Sequence, residues 1–127
     1  MKKAKIIGIK KAEIVDVATP GIKGDWALVK ILVAPMCTEY KSFNSGKEST
    51  PLGHEAVGEV IKIAQPGKVH VGDRVVVMPT YPCGKCNLCE SGEYIHCENP
   101  IDFYKYTGSV DGSDTYAQYI IKPSWLL

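Results

Sequence analysis

Two groups of residues in this chain could bind a metal, and the denser one is a cluster of cysteines. The stretch CGKCNLCESGEYIHC spans residues 83–97 and contains Cys83, Cys86, Cys89 and Cys97. Thiolates separated by two residues can reach one ion, and four of them form the tetrahedral set typical of structural zinc. A rubredoxin-like iron site usually takes its cysteines from two separate pairs, so this spacing favours zinc. We therefore predict a zinc site on these four cysteines.

Two alternatives stay open for this cluster. The cysteines would form two disulfides in a secreted protein, and His96 could replace one thiolate. Three lysines interrupt the apolar stretch of the first eleven residues, which is unlike a secretion signal. No run of about eighteen apolar residues occurs, so the sequence predicts no membrane span. We expect a cytoplasmic protein, in which thiols stay reduced.

The second group consists of Cys37 in MCTEYK and of His54 and Glu55 in LGHEAVGEV. Cys37 is predicted to follow a strand and to open a short helix, where free backbone N–H groups favour a thiolate. Glu55, beside His54, could fix the tautomer of the histidine if the ring binds a metal. Taken alone, a single cysteine is more often a small buried side chain, and a thiol redox sensor is a further alternative.

Short apolar segments rich in Val and Ile predict strands rather than helices. The fuller run VVVM is typical of a central strand, and CTEYKSFNSG predicts one or two helical turns that end at Gly46. Many short strands with frequent turns favour a mainly β fold, a partly open barrel with short helices. The predicted strands are AKIIGIK, AEIVDVATP, WALVKILVAP, AVGEVIKIA, DRVVVMP and AQYIIKP.

The region from about residue 80 to 114 is rich in loops and needs something to order it. A zinc ion on the four cysteines could do so, since such sites in small peptides bind with about 10–16 kcal/mol. The 127 residues are otherwise typical of one domain. Fifteen Lys and Arg against fourteen Asp and Glu give a formal charge of +1, too balanced to predict nucleic acid or an anionic membrane as a partner.

The order GHEAVGEV, VGDRVVV and then the four-cysteine lobe resembles the N-terminal half of the zinc-containing medium-chain alcohol dehydrogenase family. The resemblance implies that residues 1–127 form a GroES-like catalytic domain with a structural zinc on Cys83, Cys86, Cys89 and Cys97. It implies that Cys37 and His54 are ligands of a catalytic zinc and that Glu55 is an outer or exchanging ligand. The implied reaction is hydride transfer between a small-molecule alcohol or carbonyl and NAD or NADP.

The sequence departs from the family pattern at three points. Many members carry Ser or Thr two residues after the zinc cysteine to pass on the alcohol proton, whereas this chain has Glu39 there and Thr38 one residue earlier. Thr38 or Glu39 could relay the proton, or the activity differs. Tyr40 replaces the acidic residue common at the next position. No Gly-x-Gly-x-x-Gly occurs, so we expect the nicotinamide-binding Rossmann domain to be absent.

The missing domain normally supplies the third protein ligand of the catalytic zinc. We therefore expect that zinc to bind firmly only in a full-length protein, and the isolated chain to be inactive. The alternative function is a non-enzymatic zinc-stapled barrel that binds a protein partner. Assembly into a homo-oligomer is compatible with either function.

Overall fold

The structure, a computed structural model, describes residues 1–48 and 51–127 and confirms the mainly β architecture. Each of the predicted strand segments overlaps an observed strand. The strands are β1 Lys2–Gly8, β2 Lys11–Asp16, β3 Trp26–Val33, β4 Ala56–Ile63, β5 Arg74–Val77 and β6 Tyr119–Pro123.

In residues 1–48 and 51–127 the strands form two antiparallel sheets that do not close into a complete barrel. β1 and β2 form a hairpin, and the second sheet has the order β5-β4-β3-β6. A bridge between Lys3 and Ala117 connects the hairpin to the chain just before β6. The partly open barrel is therefore confirmed.

The prediction that VVVM forms a central strand is wrong. β5 pairs only with β4 and lies at the edge of its sheet in the described part of the chain. Val75 and Val77 are buried, whereas Val76 between them is 64% exposed. A strand places alternate side chains on opposite faces, so an unbroken apolar run does not show that both faces are covered.

The core lies against β3, whose first four residues are buried on both faces of the sheet. Ala27 and Val29 face the main cluster, and Trp26 and Leu28 face the loop-rich lobe. Burying a Val or Ile side chain stabilises the fold by roughly 1.5–3 kcal/mol. The main cluster contains Ala27, Val29, Ala56, Val60, Val69, Val75, Val77 and Ile120.

Short helices occupy the connections, with α1 at Glu39–Ser45, α2 at Asn87–Glu90 and α3 at Phe103–Thr107, and with 3-10 turns at Tyr94–His96 and Ser124–Leu126. α1 ends at Gly46 in the left-handed conformation, as predicted. Its N-cap is Thr38, so Cys37 precedes the helix instead of opening it. In the residues that the structure describes, no helix is both long and apolar enough to traverse a bilayer.

A column of aromatic rings joins the loop-rich lobe to the sheet. Trp26 of β3 stacks on Tyr106 of α3 with ring centroids 4.1 Å apart, and on Tyr81 at 5.8 Å. The ammonium of Lys23 lies over the Tyr106 ring and that of Lys122 over the Tyr81 ring. Stacked aromatic pairs contribute about 0.5–1.5 kcal/mol beyond their buried area, so the column helps to hold the lobe on β3.

Candidate metal centres

The four cysteines of the lobe converge on one point. Cys83 follows β5, Cys86 is the N-cap of α2, Cys89 lies within α2, and Cys97 follows the first 3-10 turn. Their Sγ atoms lie within 4.8 Å of one another, with Cys83 to Cys89 at 3.9 Å and Cys86 to Cys97 at 4.0 Å. A tetrahedron with Zn–S bonds of about 2.3 Å requires Sγ atoms about 3.8 Å apart. The spacing therefore fits one zinc ion.

The alternatives for this cluster do not match the geometry. A disulfide needs sulfurs about 2.05 Å apart, and all five cysteines are free thiols. His96 is exposed and is not among the described side chains that converge here. The lobe therefore offers a ligand set of four cysteines alone.

Backbone N–H groups prepare part of this set for the thiolate form. Those of Glu98 and Cys89 lower the pKa of Cys86 to about 6, and that of Lys85 contributes most to lowering the pKa of Cys83. Burial raises the pKa of Cys89 to about 12. Because a metal ligand must be the thiolate, a cation that binds here must displace the proton of Cys89.

The second group of ligand atoms meets at one end of the larger sheet. β3 and β4 are antiparallel with Val33 opposite Val57, so the end of one strand lies beside the start of the other. The structure thus brings Cys37, His54 and Glu55 together, with one ligand atom of each within 4.8 Å of the others. Cys37 is exposed, and the His54 side chain is 35% exposed, so a small molecule can reach them.

Glu39 connects two of these residues through its carboxylate. Its Oε1 lies 2.7 Å from His54 Nδ1, and its Oε2 accepts a hydrogen bond of 2.8 Å from the backbone N–H of Cys37. The side chain of Glu39 is only 8% exposed. A histidine that binds a metal commonly donates its other ring N–H to a carboxylate, so Glu39 leaves Nε2 of His54 for a metal.

This arrangement changes two interpretations made from the sequence. The carboxylate that fixes the His54 tautomer is Glu39 and not the adjacent Glu55, which instead offers a ligand atom. Glu39 has both oxygens engaged, which does not favour it as a proton relay. Thr38 is exposed at the N-terminus of α1 and makes no capping hydrogen bond with its side chain.

Sequence reasoning missed Tyr116, which lies beside this site. Its Oη donates a hydrogen bond of 3.1 Å to the Pro35 carbonyl. Burial, together with the nearby charges of Glu39 and Cys37, raises the pKa of Tyr116. The only signal in the sequence was an aromatic residue just before the last strand, and such a residue is common in any core.

An apolar cavity of about 210 Å³ adjoins the site and has the Glu39 side chain in its wall. Tyr40, the residue that replaces the expected acidic one, contributes to the lining and is 47% exposed. None of the three ligand residues lines this cavity, which meets the site through Glu39. Its other lining residues are Ala4, Ile6, Ala12, Met36, Phe43, Leu52 and Tyr116.

Comparison with known proteins identifies relatives for most of the chain. A family model described as the alcohol dehydrogenase GroES-like domain matches residues 23–127. A sorbitol dehydrogenase of Bombyx mori is 30% identical over 121 residues, which are 88% of this chain and 34% of that protein. An L-threonine 3-dehydrogenase of Pyrococcus horikoshii is 32% identical over 123 residues, 89% of this chain and 34% of that protein.

Solved structures agree with these relatives. The zinc dependent alcohol dehydrogenase 2 of Streptococcus pneumonia superposes with a TM-score of 0.70 at 28% identity, over 98% of this chain and 36% of that one. The chain thus spans about a third of the length of the curated relatives it matches. Since the family model covers residues 23–127, the chain belongs to the alcohol dehydrogenase GroES-like domain family.

Proposed function

We propose that the chain is the substrate-binding and zinc-binding domain of an NAD(P)-linked dehydrogenase that acts on an alcohol or polyol. The observation that carries this proposal is the convergence of Cys37, His54 and Glu55 beside an apolar cavity. The relatives named for sorbitol and L-threonine support a substrate that bears a hydroxyl group. The nicotinamide cofactor would be bound by a further domain outside these 127 residues.

The donor set of this site suits zinc. A thiolate, an imidazole nitrogen and a carboxylate oxygen are the protein ligands that zinc takes, and three of them leave a fourth position for substrate. Zinc bound there supplies Lewis acidity toward the substrate oxygen. Glu39 holds the His54 ring and the Cys37 backbone in place, and the apolar lining of the neighbouring cavity would contact the carbon skeleton of the substrate. Thr38 is the candidate for the proton relay, because it adjoins Cys37 and its hydroxyl makes no capping hydrogen bond, whereas both oxygens of Glu39 are engaged.

A second zinc would occupy Cys83, Cys86, Cys89 and Cys97 and order the lobe, whose short helices could not persist alone. This ion would be structural, because four thiolates leave no open position for a substrate.

Metal analysis of the reduced chain tests the two sites. We expect one tightly bound zinc ion per chain, held by the four cysteines, and a second that binds more weakly through the three ligands of the Cys37 site. Cys37→Ser and His54→Ala should each abolish binding of the second zinc ion only. His70→Ala changes an exposed histidine outside both sites and should leave both ions bound. A second ion that survives Cys37→Ser would contradict the proposal.

The reaction is tested separately, in a protein extended by the residues encoded downstream of Leu127. A Gly-rich strand-turn-helix in that sequence would support the proposal. Oxidation of polyols, simple alcohols and threonine with NAD and NADP would then be measured, with Cys37→Ser as the control. Full activity in Cys37→Ser would instead favour a zinc-stapled interaction module.

A further inference from the structure

We propose that Tyr116 is a positioning residue for Cys37 and His54, because it joins the two chain segments that carry these ligands. This inference rests on the proposed function, since it concerns the same metal site. It goes beyond that function by assigning a role to a residue that is not itself a ligand.

The phenol of Tyr116 holds the segment that leads to Cys37. Pairing of β3 with β4 ends at Val33, so the residues between Val33 and α1 are not held by a sheet ladder. Tyr116 Oη donates to the Pro35 carbonyl at 3.1 Å, two residues before Cys37. The phenol thereby ties this segment to the part of the chain that leads into β6.

The backbone of Tyr116 holds the segment that leads to His54. Its N–H donates to the Leu52 carbonyl at 3.1 Å, and the N–H of Thr115 donates to the Gly53 carbonyl at 3.1 Å. Gly53 has φ +84°, and a Cβ there would lie 2.5 Å from Thr115 Oγ1. The two segments therefore approach so closely that only glycine fits at position 53 without rearrangement.

A third contact anchors Tyr116 itself to the hairpin. The backbone N–H of Ala4 in β1 donates to the Tyr116 carbonyl at 2.8 Å. One residue therefore contacts β1, the segment before Cys37 and the segment before His54. Glu39 in α1 contacts the two ligand residues themselves, and Tyr116, which precedes β6, contacts the segments that lead to them.

This bracing matters because metal affinity depends on how well the ligand atoms are held before the ion arrives. Cys37 is exposed and is preceded by residues outside the β3–β4 ladder, so loss of the phenol would leave the contact between Glu39 and the Cys37 N–H to hold this segment. Loss of a group that orients a metal ligand typically lowers affinity about 10–100-fold. We expect the lower end, about tenfold, for Tyr116→Phe because Glu39 and the backbone bonds remain.

Cobalt titration measures this effect without any need for enzymatic activity. The four-cysteine site of the full chain is first filled with one equivalent of zinc, which thiolates prefer over cobalt. Cobalt(II) is then added, and the thiolate-to-cobalt charge-transfer absorption is followed, with Cys37→Ser as the blank. Tyr116→Phe should raise the cobalt Kd about tenfold and change the shape of this absorption.

Tyr106→Phe is the matched control. It also removes a phenol that donates to a backbone carbonyl, that of Lys23 at 2.7 Å, but in the zinc lobe. We expect this control to leave the cobalt Kd and spectrum unchanged. Zinc content of the four-cysteine site reports that each variant is folded.

The outcomes separate the two proposals. A Kd and spectrum of Tyr116→Phe equal to those of the unsubstituted chain, or equal losses in Tyr116→Phe and Tyr106→Phe, would overturn the inference and leave the proposed function intact. Absence of any Cys37-dependent absorption in the unsubstituted chain would overturn the proposed function, and the inference with it.

Discussion

Replacement of Lys122 by methionine should stabilise the chain near neutral pH. Lys122 lies in β6 with 1% of its surface exposed. Its Nζ donates to the Thr80 carbonyl at 2.8 Å and lies 3.5 Å from the centroid of the Tyr81 ring. None of the ion pairs among the described residues includes Lys122. Its positive charge is therefore buried without a carboxylate.

The magnitude follows from the pKa of this group. Burial lowers the pKa of Lys122 from the ordinary 10.5 to about 7. Since one pKa unit corresponds to about 1.4 kcal/mol, burial disfavours the charged form by about 5 kcal/mol. Between about pH 7 and 10.5 the unfolded chain binds more protons here than the folded chain, so stability rises with pH across that window. Below about pH 7 the whole penalty is present.

Methionine removes the charge but leaves the Thr80 carbonyl without its donor, which costs about 1–3 kcal/mol. It also removes the contact between the Lys122 ammonium and the face of the Tyr81 ring, which costs about 0.5–2 kcal/mol. We therefore expect the free energy of unfolding of Lys122→Met to exceed that of the unsubstituted chain by about 1–3 kcal/mol at pH 6. By about pH 10 this advantage should be lost or reversed, because the folded chain then holds a neutral lysine.

Urea unfolding at pH 6, 8 and 10, with free zinc held constant at each pH, measures this difference. The control is Lys62→Met, which replaces an exposed lysine of β4 and should change stability by no more than about 0.5 kcal/mol at any pH. A difference between Lys122→Met and the unsubstituted chain that is the same at pH 6 and pH 10 would refute the reasoning.

Three further predictions concern the two candidate metal centres. Glu39→Gln should weaken cobalt binding at the Cys37 site about 10–100-fold, since an amide has one acceptor oxygen instead of two; an unchanged Kd would contradict this. Gly53→Ala should lower the free energy of unfolding by more than the roughly 1–3 kcal/mol that a positive φ costs a residue other than glycine, because the new Cβ would also collide with Thr115. Thermal unfolding measures this loss. Gly72 has a similar φ of +97°, but a Cβ there would meet no atom within 4 Å. Gly72→Ala should therefore lose less stability than Gly53→Ala, and an equal loss would contradict the close-approach argument. Cys86→Ser should remove the tightly bound zinc, and zinc analysis that finds it retained would place the ion elsewhere.

The features that the sequence by itself determined depend on local spacing. Cys83, Cys86 and Cys89 reach a common point because one short turn folds each pair, and Cys97 follows within eight residues. The six strands and α1 were predictable for a similar reason, since alternation, turn formers and Gly46 act within a few residues. The order of motifs along the chain then sufficed to indicate the family.

The tertiary structure decided which residues distant in sequence contact one another at the Cys37 site. Sequence spacing suggested Glu55 as the partner of the His54 ring, but the partner is Glu39, because the antiparallel pairing of β3 and β4 brings α1 beside the start of β4. Tyr116 acquires its role only where its segment meets Leu52 and Pro35.

The edge position of β5 and the burial of Lys122 likewise depend on which strand lies on which side. An apolar run predicts a strand but not its neighbours, and a lysine in a strand is ordinarily exposed. Long-range pairing sets both outcomes, because burial depends on what the rest of the chain places against a residue, and a short sequence window does not contain that information.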